Sequence, residues 1–209
     1  MKTPVICPKD SRVVVTQGFK PEIHESVDFI IWDDKLSHDD NKFLTYGASF
    51  VAPFDFKVVA EESKEKTVGY YGQDAPSGGY IDIVDYTGKF FLHFQHNCAN
   101  RLKVGDVGKA GDIIGYMGNA GQCLPAPTPD YPVDGTHCHL TMALLGVGPN
   151  GNGIRVDPRI YIDFNTWYDG KDSSKELDYE RIKWGLDRKG FKTMWEEVVW
   201  LIRRFGNKQ

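Results

Sequence analysis

Cysteine is scarce in this chain and scattered along it. Four of 209 residues are cysteine (Cys7, Cys98, Cys123, Cys138). No two stand at CxxC spacing, which speaks against a cysteine zinc site. One or two disulfides stay open, with no pairing legible. A run of ~18 apolar residues is also missing, so no transmembrane helix is expected, and a membrane is not among the expected partners unless the C-terminal helix face described below provides the contact. Positive charge is not in excess: 25 basic residues face 29 acidic ones, for a net charge of -4. That removes the basic face that nucleic-acid phosphates require, so no nucleic-acid partner is expected. The start, Met1 to Pro8, holds no apolar stretch of the signal-peptide kind. The compartment is left open between the cytoplasm, exit by another route, and export with the leader already removed.

What is present is a globular mixture, 41% hydrophobic and 26% charged, which excludes wholesale disorder. Short apolar runs are punctuated by glycine and proline up to about residue 160. Val13–Val15, Lys57–Ala60, Tyr80–Val84, Phe90–Phe94, Asp112–Tyr116 and His137–Met142 read as strands. Gly-rich turns separate them with no helical period between, the pattern of an antiparallel β-sandwich or barrel. Two stretches read as inserted loops. One is the polar segment 33–46. The other is 122–134, whose four prolines remove ladder donors. The character changes after Pro158, and the expected division is a β domain over 1–164 and a helical extension over 165–209. Helices are expected at 178–188 and 191–205. In the second, Met194, Trp195, Val198, Val199, Ile202 and Phe205 recur at helical spacing. That face either packs on the β domain or serves as a surface for a partner, the wall or a membrane.

Four of the six histidines carry the chemistry. His137-Cys138-His139 puts two imidazoles on one face of a strand and turns Cys138 the other way, into packing. Such a pair suits one metal, or one ligand and one catalytic role. His24-Glu25-Ser26-Val27-Asp28 adds a nitrogen and a carboxylate four residues apart. His24, Asp28 and one histidine of the HxH pair make three ligands for Zn2+ and leave the fourth corner to water, as in catalytic zinc sites. His96 follows the Phe90–Phe94 strand. His93, three residues earlier, faces the opposite side and reads as a satisfied polar group; His38, beside Asp39 and Asp40, reads as a solvated loop residue.

In this order, the residues resemble the LytM/lysostaphin-type zinc metallopeptidases over roughly residues 14–162. The resemblance is carried by Val15-Thr16-Gln17-Gly18-Phe19, by the HxxxD of His24 and Asp28, and by Phe50-Val51-Ala52-Pro53. Phe94-Gln95-His96, the segment from Lys103 to Gly121, and Gly135-Thr136-His137-Cys138-His139-Leu140 complete it. It implies an antiparallel β-sandwich or barrel-like peptidase core of the duplicated hybrid motif type. It implies His24, Asp28 and His139 as zinc ligands, and His96 and His137 as the catalytic pair that orients water, moves protons and stabilises the oxyanion. The substrate it implies is the peptide cross-link of bacterial cell wall. The chain departs from the pattern at Ser26 and near Phe56, where that family has glycine, and in the longer 122–134 loop, which would border the groove. Two other readings stand beside it. One is a non-enzymatic wall- or partner-binding activator module on the same fold, which needs no metal. The other is a phosphotransfer-like barrel, which needs a histidine pair but not Asp28.

Overall fold

The structure is a computed structural model that describes residues 1–62, 78–128 and 130–169. Two sheets face each other. In chain order the strands are β1 (Lys2–Cys7), β2 (Arg12–Gln17), β3 (Val27–Trp32), β4 (Ser49–Val51), β5 (Phe56–Glu62), β6 (Gly79–Asp85) and β7 (Phe90–Asn97). They continue with β8 (Ala99–Asn100), β9 (Val107–Gly108), β10 (Ile113–Tyr116), β11 (Cys138–Leu144), β12 (Ile154–Val156) and β13 (Asp163–Asp169). The larger sheet runs β2-β3-β11-β7-β6-β5-β9, and the smaller β13-β1-β4-β10-β8. β12 pairs with the second half of β11, and β3 with the first.

The strands form because their side chains alternate. Val27, Phe29 and Ile31 are fully buried and Asp28 and Ile30 are not. Ile81 with Ile83, Leu92 with Phe94, and Cys138, Leu140 and Met142 repeat the pattern on β6, β7 and β11. Their inward faces meet Val5, Phe50 and Ile114 of the smaller sheet in one core. Each fully buried side chain of this size contributes roughly 1.5–3 kcal/mol of transfer free energy. The other face of β3 and β11 is left free to carry polar groups.

The antiparallel expectation holds with one exception. β1 and β13 are parallel, and Met1 and Thr3 are tied to Tyr161 and Asp163. β13 runs through Asp169, past the boundary expected at 164. The helices expected at 178–188 and 191–205 lie outside the described residues.

Segment 33–46 is not a loop throughout. It contains the helix α1 (His38–Thr45), capped by the Ser37 side chain, which accepts from the Asp40 N–H. Asp39 and Asp40 in the first turn suit the helix dipole. The helix buries Asn41, Phe43 and Leu44. His38 is therefore the exposed first residue of a helix. Segment 122–134 has no strand among its described residues. All four cysteines are free and buried, so no disulfide forms among them.

Candidate metal centre

Asp28 and His139 are directly opposite each other on β3 and β11. Both belong to the sheet face turned away from the core, and at this range cross-strand side chains touch. His139 Nδ1 lies 2.9 Å from Asp28 Oδ1. His24 reaches them from the loop before β3, where a tight turn pairs it with Lys20. Its Nδ1 lies 3.2 Å from the Gly18 carbonyl and so donates there. That leaves Nε2 as a lone pair, 3.3 Å from His139 Nδ1 and 3.2 Å from Asp28 Oδ1.

His137 stands just before β11, held by a bridge to Gly118. Its Nδ1 donates to the Gly135 carbonyl at 2.7 Å, and its Nε2 lies 4.0 Å from Asp28 Oδ2. A Cβ on Gly118 would come within 2.6–2.9 Å of Cys98 N, Cys98 Cβ and His96 O. Only glycine lets this loop approach the end of β7.

His96 reaches the site through a bulge. Tyr80 pairs with Gln95 and Gly79 with Asn97, so His96 is an extra residue on β7. Plain alternation would put it on the core face with Phe94. Instead its backbone takes φ 64, a conformation uncommon for a non-glycine residue and concentrated at functional sites. Bulges re-aim a side chain in this way. The His96 ring lies 4.7 Å from that of His137 and 5.8 Å from that of His139, centroid to centroid. Its Nδ1 donates to the Ala120 carbonyl at 2.7 Å.

Burial sets the charge states. It pushes the His96 imidazole down from 6.5 to about 3, reinforced by neighbouring His137. Burial also lowers His137, against the pull of Asp28. Burial would raise Asp28, but the His139 hydrogen bond and the surrounding imidazoles outweigh it and hold the carboxylate below its ordinary value. The site is thus one carboxylate ringed by imidazoles, two of which are held neutral.

The five residues expected from sequence converge here. Donor atoms of His24, Asp28 and His139 form one group within 4.8 Å of one another; His96, His137 and His139 form a second. The first group is the better cation site because it alone contains a negative charge. Its separations of 2.9–3.3 Å match the edge of about 3.3 Å expected between tetrahedral ligands of zinc at ~2.0 Å.

Solved structures similar to the chain include LytU and two peptidases. LytU shares 26% identity at a TM-score of 0.45, covering 72% of this chain and 83% of that one. Lysostaphin, an antimicrobial peptidase from Staphylococcus simulans, shares 19% at 0.46, covering 77% and 55%. A zinc-containing peptidase from Vibrio cholerae shares 18% at 0.46, covering 74% and 38%. The chain resembles the LytM/lysostaphin-type peptidases. It spans about half the length of lysostaphin and under two fifths of the Vibrio cholerae protein. No family model and no curated protein matches it.

Around this centre, His93 is tied to Asp82 on the neighbouring strand and takes no part in the cluster. Cys138 is fully buried in the core, facing away from the two histidines that flank it. The proline-rich segment is tied to the loop after Gly118 and to α1: Asn119 Nδ2 donates to the carbonyls of Pro132 and Asp134, and Asp134 binds Lys42 of α1 at 2.6 Å. Sequence reading missed two hydroxyls. Ser26 Oγ is 2.7 Å from His139 Nε2 and 2.9 Å from Thr141 Oγ1. The alternation of β11, which places Thr141 on the same face as His139, was the available signal.

Proposed function

We propose that the protein is a zinc endopeptidase that hydrolyses peptide cross-links of bacterial peptidoglycan, with His24, Asp28 and His139 as metal ligands and His96 and His137 as catalytic residues. The observation that carries this is the triangle of His24 Nε2, Asp28 Oδ1 and His139 Nδ1, 2.9–3.3 Å on a side. Two neutral imidazoles stand beside it, His96 buried and His137 half-buried. The resemblance of the motifs supplies the substrate class.

Zinc bound there supplies Lewis-acid polarisation of the scissile carbonyl and makes a water molecule acidic near neutral pH. The chain's own residues do the rest. In His96 and His137 the Nδ1 proton is committed to a backbone carbonyl, so in the neutral form Nε2 carries only a lone pair. Each can therefore accept a proton from the attacking water first. Only then can it donate to the oxyanion and to the departing amine. That order makes the pair a base before it is an acid.

The test is digestion of defined muropeptides from several wall types by the wild type and by His139→Ala. Cleavage is expected from the wild type, stopped by a chelator and restored by zinc, and none from the variant. A wild type that neither binds zinc nor loses any function on chelation would leave the activator module as the surviving reading.

A further inference from the structure

Ser26 and Thr141 stand directly behind the metal centre. Asp28 faces His139 and Val27 faces Leu140 across β3 and β11. One more step of that antiparallel register sets Ser26 opposite Thr141. Ser26 is 3% exposed and Thr141 7%, and their hydroxyl oxygens are 2.9 Å apart. The same Ser26 oxygen lies 2.7 Å from His139 Nε2. His139 is therefore gripped at both ring nitrogens, by Asp28 on Nδ1 and by Ser26 on Nε2.

A neutral imidazole has one N–H and one lone pair. Ionised Asp28 can only accept, so without a cation Nδ1 donates to it and Nε2 must accept from Ser26. A cation facing Nδ1 needs the lone pair there, which moves the N–H to Nε2. Ser26 must then accept from Nε2. A hydroxyl does either by rotating about its C–O bond, donating to Nε2 in one state and to Thr141 in the other. The two tautomers hold the same number of protons, so the exchange balances. Glycine, the residue of the LytM/lysostaphin pattern at this position, offers neither role.

We propose that Ser26, backed by Thr141, is a positioning residue that lets His139 exchange tautomers as the cation arrives, and so sets the affinity of the site. This rests on the metallopeptidase reading above. Loss of such an outer hydrogen-bond partner typically weakens metal binding by about 10–100-fold.

The test is a competition titration with Zn2+ alone, together with the 15N shifts of the His139 ring with and without the ion. Wild type, Ser26→Ala, Ser26→Thr, Thr141→Val and His139→Ala are compared. Wild-type His139 is expected to be the Nδ1–H tautomer without zinc and Nε2–H with it. Ser26→Ala is expected to bind zinc about 10–100-fold more weakly and to show mixed tautomers before zinc is added. Ser26→Thr, which keeps the hydroxyl, is expected to recover most of the loss. Thr141→Val is expected to weaken binding several-fold and carries the test alone if Ser26→Ala does not fold. Equal affinity in Ser26→Ala, Thr141→Val and a zinc-binding wild type would overturn the role of Ser26 and leave the metal centre standing. No zinc on the wild type, or full affinity in His139→Ala, would overturn both.

Discussion

His96 is the side chain most dependent on its surroundings. It is 5% exposed and held neutral, with its affinity for a proton lowered from 6.5 to about 3. In the unfolded chain it regains its ordinary value, so the folded state disfavours the proton. For the metal-free protein, this contribution to stability is complete above about pH 6.5 and is lost as pH falls toward 3, at up to about 1.4 kcal/mol per pH unit. His137 acts in the same direction. Denaturant melts in chelator at pH 7.5, 6 and 5 should show this decline, with a shallower slope for His96→Gln. An identical slope would remove His96 as its source. His137→Ala tests the division of labour: zinc affinity should stay near wild type while cleavage falls ~10²–10⁴-fold. The cysteines give a further check. Burial raises the Cys7 thiol to about 11 and Cys123 to about 12, and Cys98 and Cys138 are also buried. Iodoacetamide at pH 8 should label none of the four until denaturant is added. Cys138→Ser should cost stability through its buried hydroxyl yet leave bound zinc unchanged, because the side chain lies in the core.

At the scale of elements, β11 was readable in advance and β7 was not fully so. On β11 a strict alternation sorts Cys138, Leu140 and Met142 inward from His139 and Thr141, and the HxH pair follows from period two alone. On β7 the same rule would send His96 into the core, because a one-residue bulge leaves no mark in composition. The family resemblance, not periodicity, named His96. The helix α1 was hidden because eight residues are too few to display an apolar stripe. Its capping serine, followed three positions later by Asp40, was the missed sign. β1 was obscured by Pro4, a residue that usually demotes a run from strand to edge or loop. Near Phe56, the departure from the family pattern is accommodated across the strands. The Phe56 ring lies where a Cβ on Gly108, its partner on β9, would be, so a large residue faces a small one. Gly118 has no such tolerance. Gly118→Ala should destabilise by about 1–3 kcal/mol through overpacking and should reduce cleavage more than zinc affinity. It presses on the backbone of His96 while His24, Asp28 and His139 stand on other elements. Equal losses in both would show that the loop moves the whole centre.

For the molecule as a whole, the two ends of the described β domain are joined. β1 and β13 lie side by side, Met1 N donates to the Tyr161 carbonyl at 2.6 Å, and fully buried Thr3 donates to Asp163. A chain cut after Asp169 keeps this pairing and one cut after Ile162 loses it. Thermal melts should separate them by ~5 °C or more. Coincident melts would mean that β13 contributes nothing to stability.

The separation between Asp28 and His139, 111 positions along the chain, has a consequence for how the protein is made. While it is being synthesised, the segment bearing His24 and Asp28 leaves the ribosome long before the strand it must join. Contacts this distant form late and slowly. A nascent or truncated chain therefore carries the Asp28 carboxylate and the His24 imidazole without the His139 ring beside them. The cell that makes this protein holds no assembled cluster of these three side chains until translation has passed residue 139 and the sheet has closed.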